Sequence, residues 1–415
     1  MYHARVRRPS TPVVPDIQSG GPFLGLAPFL RLNIAGIDLR PAAREILAQA
    51  QAAGDDADLW MNLAIVTLCL GQRDLGLAMQ AQALALRRVY HLPAARRPAR
   101  ARLLLLAVPG DLAANTPLEC LLEDSDIDLD YCYLSGDDPC AEPLPEHDAL
   151  MVAISESDAN RALLAALEPL LARWHRPVLN APQCIPTVGR ETASAMLGDA
   201  PGVLMPPTWR ASRLGLAAVA AGTAELAGHW PGAAFPVLLR PVGSHAGRDL
   251  ERLAGRADLA AYLARVDAAE FYLSPFIDYR SADGLYRKYR VALIGGQAYA
   301  CHMAVSAHWM IHYVNAGMYE DAQKREEEAG FMDGFAAFAR AHAAALKAIH
   351  ARTGLDYVCI DCAQTPDGQL LVFEVDHAMV VHAMDPPELF PYKQAQMRKV
   401  SQALRDLVLA RVAAR

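Results

Sequence analysis

The chemistry in this chain concentrates in Leu355–His382, LDYVCIDCAQTPDGQLLVFEVDHAMVVH, which reads as two short strands around a turn. Asp361 lies on the first strand, Glu374 and Asp376 on the second. Thr365-Pro-Asp-Gly368 supplies the turn between the apolar runs VCI and LLVF. Strand alternation puts Glu374 and Asp376 on one face, where both can point at a single cation. Hard oxygen ligands with no cysteine pair aimed the same way suit Mg²⁺ holding a nucleotide phosphate, rather than Zn²⁺. The competing reading, a solvated acidic edge hairpin, fits less well. The apolar neighbours in VCID and VFEVD mark buried strands.

Two further segments belong with this one. Phe235–Leu250, FPVLLRPVGSHAGRDL, is an apolar strand ending in Arg240-Pro241, followed by the small-residue loop Gly243-Ser-His-Ala-Gly247. Such a loop lets backbone N–H groups approach an anion, and an arginine at its root adds charge and a two-pronged fork. By itself it could equally be an ordinary turn, and it lacks the lysine of G-x-x-x-x-G-K-[ST]. Glu270–Ile277, EFYLSPFI, then precedes a second strand, Tyr289–Ile294, which ends at Gly295-Gly296.

In order and spacing these segments resemble the ATP-grasp superfamily, which includes D-alanine–D-alanine ligase and glutathione synthetase. The resemblance covers roughly residues 100–412. It implies that Arg240 and the loop residues Gly243, Ser244 and Gly247 hold phosphate. It also implies that Leu273–Ile277 is the hinge strand cradling adenine, with Pro275 offering its C=O, Ile277 its N–H, and Asp278 beside them. A proline suits that place because only its carbonyl is needed. The metal carboxylates of the family map onto Asp361, Glu374 and Asp376, so the implied cofactors are ATP and Mg²⁺. Some positions depart from the family. Arginine stands at Arg190 and Arg240 where relatives usually carry lysine, which still neutralises phosphate but with a planar fork. Asp376 replaces the commoner asparagine. His377-Ala-Met-Val stands where relatives often have small residues and Pro-Gly.

The resemblance implies an ATP-dependent carboxylate–amine ligase working through an acyl phosphate, with Arg190 and Arg240 on the phosphates. Arg290 would stabilise the tetrahedral oxyanion, and Arg290 and His302 together would face phosphate or a substrate carboxylate. The other readings are a kinase or phosphotransferase on the same fold and a nucleotide-binding scaffold without catalysis. The substrates expected are small-molecule or peptide carboxylates and amines, of unspecified identity. The run His302-Met303, His308-Trp-Met-Ile-His312, Asn315, His377 and His382 could mark a soft-metal site, but reads better as an active-site wall with methionine as packing.

The 415 residues allow two or three domains. With 53% hydrophobic residues, 20% charged and a formal charge of −7, the chain is globular, and no basic stripe points to nucleic acid. No apolar run spans a membrane, and residues 1–21, with Arg5, Arg7, Arg8 and several prolines, read as an arm rather than a targeting signal. Eight scattered cysteines, including Cys359-x-x-Cys362, read as reduced thiols of a cytoplasmic protein. Residues 1–98 form the arm and an all-α region, helical over Asp38–Gly54 and Leu59–Tyr90. There Trp60, Leu63, Gly71 and Ala83 resemble a single tetratricopeptide repeat. That region is expected to be dispensable for nucleotide binding and to pack on the enzyme, a second copy or a protein partner. Residues 99–185 alternate strand and helix signals, as in an open parallel α/β domain. Residues 186–415 form an α+β ATP-grasp body, divided near 272/273.

Overall fold

The computed structural model describes residues 21–134, 144–244 and 247–414. His245 and Ala246 of the glycine loop, the arm before Gly21, and Cys140 lie outside the described residues. The chain begins with helices α1 (Ala27–Ile34), α2 (Arg40–Ala52), α3 (Ala57–Cys69) and α4 (Arg73–Leu86). Asp56 caps α3 by accepting the N–H groups of Asp58 and Leu59. Helical spacing in the sequence runs on to Tyr90, but the chain turns extended first. Val89–Leu92 is strand β1, and Tyr90 buries its ring while its hydroxyl donates to the Ala83 carbonyl at 2.9 Å.

The first sheet has the order β1-β3-β2-β4-β5, from β2 (Ala101–Ala107), β3 (Ile127–Tyr133), β4 (Ala149–Val152) and β5 (Val178–Leu179). β2 to β5 run parallel and β1 joins β3 antiparallel. Helices α5 (Glu119–Leu122) and α6 (Arg161–Leu171) connect them. The unbroken Leu103–Leu106 run has a physical reason: both faces of β2 are covered. Leu103 and Leu105 pack with α1–α4 and the C-terminal helix, Leu104 and Leu106 with α6 and the next helix, α7 (Arg190–Leu197).

Two further sheets follow. β6 (Val203–Leu204) leads to β7 (Trp209–Ser212), α8 (Arg213–Ala220), α9 (Leu226–His229), β8 (Val237–Pro241), β9 (Glu251–Leu253), α10 (Arg256–Arg265) and β10 (Glu270–Pro275). β7-β10-β8-β9 form the second sheet, over its own core of Leu239, Tyr262, Phe271 and Leu273. The third sheet, β12-β11-β13-β14-β6, uses β11 (Tyr286–Ile294), β12 (Gln297–Ser306), β13 (Tyr357–Gln364) and β14 (Leu370–Asp376). Both sheets are antiparallel except where β6 joins β14 in parallel. Its helices are α11 (Ala322–Asp333), α12 (Phe335–Ala341), α13 (Ala343–Thr353) and α14 (Pro391–Ala413).

The N-terminal helices share one core with the rest of the protein. Phe29, Leu63 and Val66 belong to the same buried cluster as Leu103, Leu129, Met151, Tyr357 and the α14 residues Met397, Val400 and Leu404. β1, inside the segment read as all-α, completes the first sheet. Cys359 and Cys362 sit on β13 in different clusters, so this C-x-x-C points to both faces of a sheet, and burial pushes the Cys359 thiol up to about 12. The described cysteines are free thiols. No helix among the described residues is long and apolar enough to cross a membrane.

Candidate active site

The expected hairpin forms with its turn as read: Thr365 N–H donates to the Gln369 carbonyl, and Gly368 takes φ +86°. β13 and β14 pair in the register Asp361↔Glu374 and Cys359↔Asp376. On its other edge β13 pairs with β11, setting Arg290 opposite Asp361. Register shifts fall at Arg290/Val291 in the β11–β12 pairing and at Asp361/Cys362 in the β13–β14 pairing. Such irregularities re-aim side chains. Here they flank the charged residues of an otherwise apolar sheet.

Asp361 is 2% exposed and is gripped from β11. Arg290 Nε and Nη2 donate to its two oxygens at 2.8 and 3.0 Å, and Lys288 Nζ lies 2.6 Å from Oδ2. Burial opposes ionisation, but Arg290 and Lys288 outweigh it and hold the carboxyl well below the usual carboxylate range. Lys288 was not singled out from the sequence. Its position two residues before Arg290 on a strand is the signal that places both on one face.

Glu374 and Asp376 share a face of β14 and are each about one-third exposed. Arg190, at the start of α7, donates from Nη2 to Glu374 Oε1. Burial works against the ionised form of Glu374, and Arg190 more than offsets it, so the group lies below its ordinary value. Burial and then Glu374 push Asp376 the other way. The three carboxylates are thus engaged separately, and among the described residues no three His, Cys, Asp or Glu side chains are grouped as a metal site. The reason is electrostatic. Asp361 is neutralised by its own two cations, so both of its oxygens are taken.

Arg240 is the penultimate residue of β8 and is 8% exposed. Its Nε donates to Ser244 Oγ at 3.0 Å and its Nη2 to the Ser244 carbonyl. No carboxylate lies within 4 Å of this guanidinium among the described residues. Burial and then the neighbouring Arg190 push it down to about 10. A buried arginine held only by neutral oxygens, close to a second arginine, is a prepared place for an anion. Gly243 and Gly247 take φ +74° and +68°. At Gly247 a Cβ would meet His312 Nε2 at 2.4 Å, so the glycine loop lies directly against the loop after β12.

The remaining expected residues fall around this centre. Arg290 uses a third donor on the Val380 carbonyl at 2.9 Å, which leaves two of a guanidinium's five N–H groups uncommitted. His302 pairs with Arg290 across the β11–β12 ladder, and its ring lies tilted against Tyr313 with centroids 4.9 Å apart. Burial and Arg290 hold its imidazole well below its ordinary value, hence neutral. Pro275 ends β10 opposite Val237, and Ile277 lies in the segment running from the second sheet to the third. Asp278 is held by Arg280, at 2.6 Å from Nη2. Sequence reading also missed Glu328, hidden in the run Glu326–Glu328. It is wholly buried and accepts from the hydroxyls of Tyr313 and Tyr392, each at 2.7 Å, with Lys393 Nζ at 3.3 Å. That network anchors the loop facing Gly247.

Comparison with solved structures finds distant likenesses. A RimK domain ATP-grasp protein from Sphaerobacter thermophilus matches with 18% identity, 74% of this chain, all of that one and a TM-score of 0.42. D-alanine–D-alanine ligase from Bacillus anthracis, complexed with ATP, matches with 13% identity, 76% of this chain, 99% of that one and a TM-score of 0.47. The ATP-grasp ligase PsnB, complexed with a precursor peptide and AMPPNP, matches with 15% identity, 75% and 99% coverage and a TM-score of 0.39. No family model matches the chain, and no curated protein matches it.

Proposed function

We propose that this protein is an ATP-dependent carboxylate–amine ligase of the ATP-grasp type. The observation that carries the reading is the buried Arg240 guanidinium, unpaired by any described carboxylate, rooted under a glycine loop and next to the Arg190–Glu374 pair. A triphosphate brings the negative charge such a centre lacks. Arg190 and Arg240 bind the phosphates, and Gly243, Ser244 and Gly247 shape the loop over them. Pro275, Ile277 and Asp278, on the crossing between the second and third sheets, accompany the adenine.

Glu374 and Asp376 fit a hard divalent cation: two oxygen donors on one strand face, partly exposed. Asp361 as it stands does not fit, because Arg290 and Lys288 occupy its oxygens. In this reading Glu374 and Asp376 hold Mg²⁺, which when bound supplies charge neutralisation on the phosphates. A substrate carboxylate attacks the terminal phosphorus of ATP, the acyl phosphate forms and ADP leaves. An amine then displaces phosphate. Arg290, kept charged and fixed by Asp361, lends positive potential to the oxyanion of that second step.

The test is nucleotide titration of the full chain, followed by ADP release against pools of amino acids, peptides and polyamines. A ligase releases ADP only when both carboxylate and amine are present. ADP release with one substrate alone would instead mark a kinase, and no nucleotide binding would end the reading.

A further inference from the structure

The first sheet carries a cavity of about 650 Å³ at the amino ends of its parallel strands. Arg100 and Arg102 line it from the start of β2, Glu146 and His147 from the approach to β4, and Trp174 and Arg176 from the approach to β5. This is the end of the sheet away from the phosphate centre. Past the other end of β4 the Ile154 carbonyl meets His377 Nε2, beside Asp376. From Asp148 to Ile154 is roughly 20 Å of extended chain.

Two guanidiniums here are uncommitted. Arg100 and Arg176 have no carboxylate within 4 Å among the described residues, and the buried Nε of Arg176 finds no hydrogen-bond partner. A charged donor withdrawn from water without a partner is costly, and a guanidinium fork matches phosphate oxygens. Two of the carboxylates lining the cavity do not offset this charge. Asp128 accepts the Ala94 N–H at 2.8 Å and pairs with Arg97 at 3.2 Å, and Asp148 accepts the Arg102 N–H at 3.0 Å. Glu146 is exposed, with no cation within 4 Å among the described residues. The aromatic wall is fixed in advance. Trp174 Nε1 donates to His147 Nε2 at 3.0 Å, so His147 Nδ1 carries the proton and donates to the Pro145 carbonyl at 2.7 Å. The two rings stack within 9° of parallel.

We propose that this cavity binds a small phosphate ester that also carries a flat ring and hydroxyl groups, the nucleoside monophosphate class, at a site separate from the phosphate centre. Arg100 and Arg176 take the phosphate, Trp174 lies against the ring, and Glu146 accepts from ribose hydroxyls. Each feature of the lining then has a counterpart. Inorganic phosphate would use the arginines alone, and a free nucleoside would leave them unpaired. The volume lies within the ordinary range for small-molecule sites, about 300–1,000 Å³.

The full chain is titrated with AMP, adenosine, ribose 5-phosphate and inorganic phosphate, by calorimetry and by tryptophan fluorescence. The parent is compared with Arg100→Gln, Arg176→Gln, Trp174→Phe and Arg240→Ala, with a thermal melt on each. AMP should bind the parent at least tenfold more tightly than any of its three fragments. Arg100→Gln and Arg176→Gln should each weaken AMP about tenfold, the effect of losing a charge-assisted hydrogen bond, and leave ATP affinity unchanged. Trp174→Phe should abolish the fluorescence change. Arg240→Ala should leave AMP binding intact. Undetectable binding of AMP by the parent overturns the proposal, as does inorganic phosphate or adenosine binding as tightly as AMP. AMP binding that falls with Arg240→Ala but not with Arg176→Gln belongs to the phosphate centre and overturns it too. If Arg176→Gln melts early, the exposed Arg100→Gln decides, since it removes charge without removing buried contacts. None of these outcomes bears on the ligase reading, which stands or falls with ATP.

Discussion

Asp361 and Arg290 face each other in the β11–β13 ladder and close a two-pronged ion pair, 2.8 and 3.0 Å, in the middle of an apolar sheet. Lys288 completes it from the same face of β11. Removing one member of a buried pair strands the other's charge, which costs about 3–5 kcal/mol. Asp361→Asn is therefore expected to lower the urea midpoint strongly, since two cations would be left. The pH dependence follows from the sign of the shift. The folded state holds this carboxyl below its unfolded value, so its stabilisation is complete above the ordinary carboxylate range, about pH 4, and is lost as pH falls below it. Asp361→Asn should flatten the acid limb of a stability–pH curve; an unchanged limb would remove the assignment.

Glu374 and Asp376 are the pair whose oxygens remain available. Glu374→Gln with Asp376→Ala should abolish ADP release while leaving the fold, because both side chains sit at the partly exposed end of β14 rather than in its core. Thermal melting and ADP release measured on the same preparation decide it. Full activity with an unchanged melt would take the cation away from these residues.

Arg240→Ala deletes a cation aimed at phosphate. Charge-assisted hydrogen bonds contribute about 1.5–3 kcal/mol, so ATP binding should weaken by roughly ten- to a hundredfold. Arg240→Lys should keep much of the affinity, since a point charge still neutralises phosphate. Calorimetric titration distinguishes the two. Undiminished binding by the alanine variant would mean that the loop at 243–247 covers something other than phosphate.

The β13–β14 hairpin was legible because its turn residues and period-two pattern are local signals. The partners of its carboxylates were not. Arg290 and Asp361 are 71 residues apart in the chain, and only strand register, set by the whole sheet, brings them together. Glu328 was hidden for a related reason: in a helix rich in glutamate, nothing local tells the one wholly buried residue from its solvated neighbours. Tyr90 read as the end of a helix because helical spacing carries through Leu86. Pairing with β3, a tertiary contact, decides its strand conformation. The same blindness separated residues 1–98 from the rest. A proline- and arginine-rich segment looks like a linker, while the shared core around Phe29, Leu63 and Leu103 is visible only once folded.

That shared core changes what truncation should do. A chain starting at Ala99 would lack β1 and expose the face of β2 and β3 that α1–α4 cover. Each large side chain uncovered forfeits about 1.5–3 kcal/mol, and several together exceed the stability of an ordinary domain. The truncated protein is expected to be insoluble or unfolded, rather than folded and able to bind ATP. Circular dichroism and light scattering on both forms check this. A soluble truncated protein with a cooperative melt would show that the helical region is only a cap.

Glu119 offers a pH test of how those helices attach. Its carboxylate is 7% exposed, accepts from the Tyr131 hydroxyl and from the Leu26 N–H at 3.2 Å, and has no cationic partner among the described residues. Burial raises its carboxyl above the ordinary value, against the hydrogen bond from Tyr131. The sign is opposite to that of Asp361. The folded state favours the protonated form, so the group supports folding at low pH and weakens it as pH rises past the unfolded value, about 4.3. Glu119→Gln keeps the shape and removes the charge, so it should raise the urea midpoint at pH 8 and change it little at pH 4. Glu119→Leu also removes the charge, but it strands the Tyr131 hydroxyl and the Leu26 N–H. It should therefore gain less than the glutamine variant at pH 8. A glutamine variant less stable than the parent at pH 8 would show that the ionised carboxylate is what fastens Leu26, and with it α1, to the first sheet.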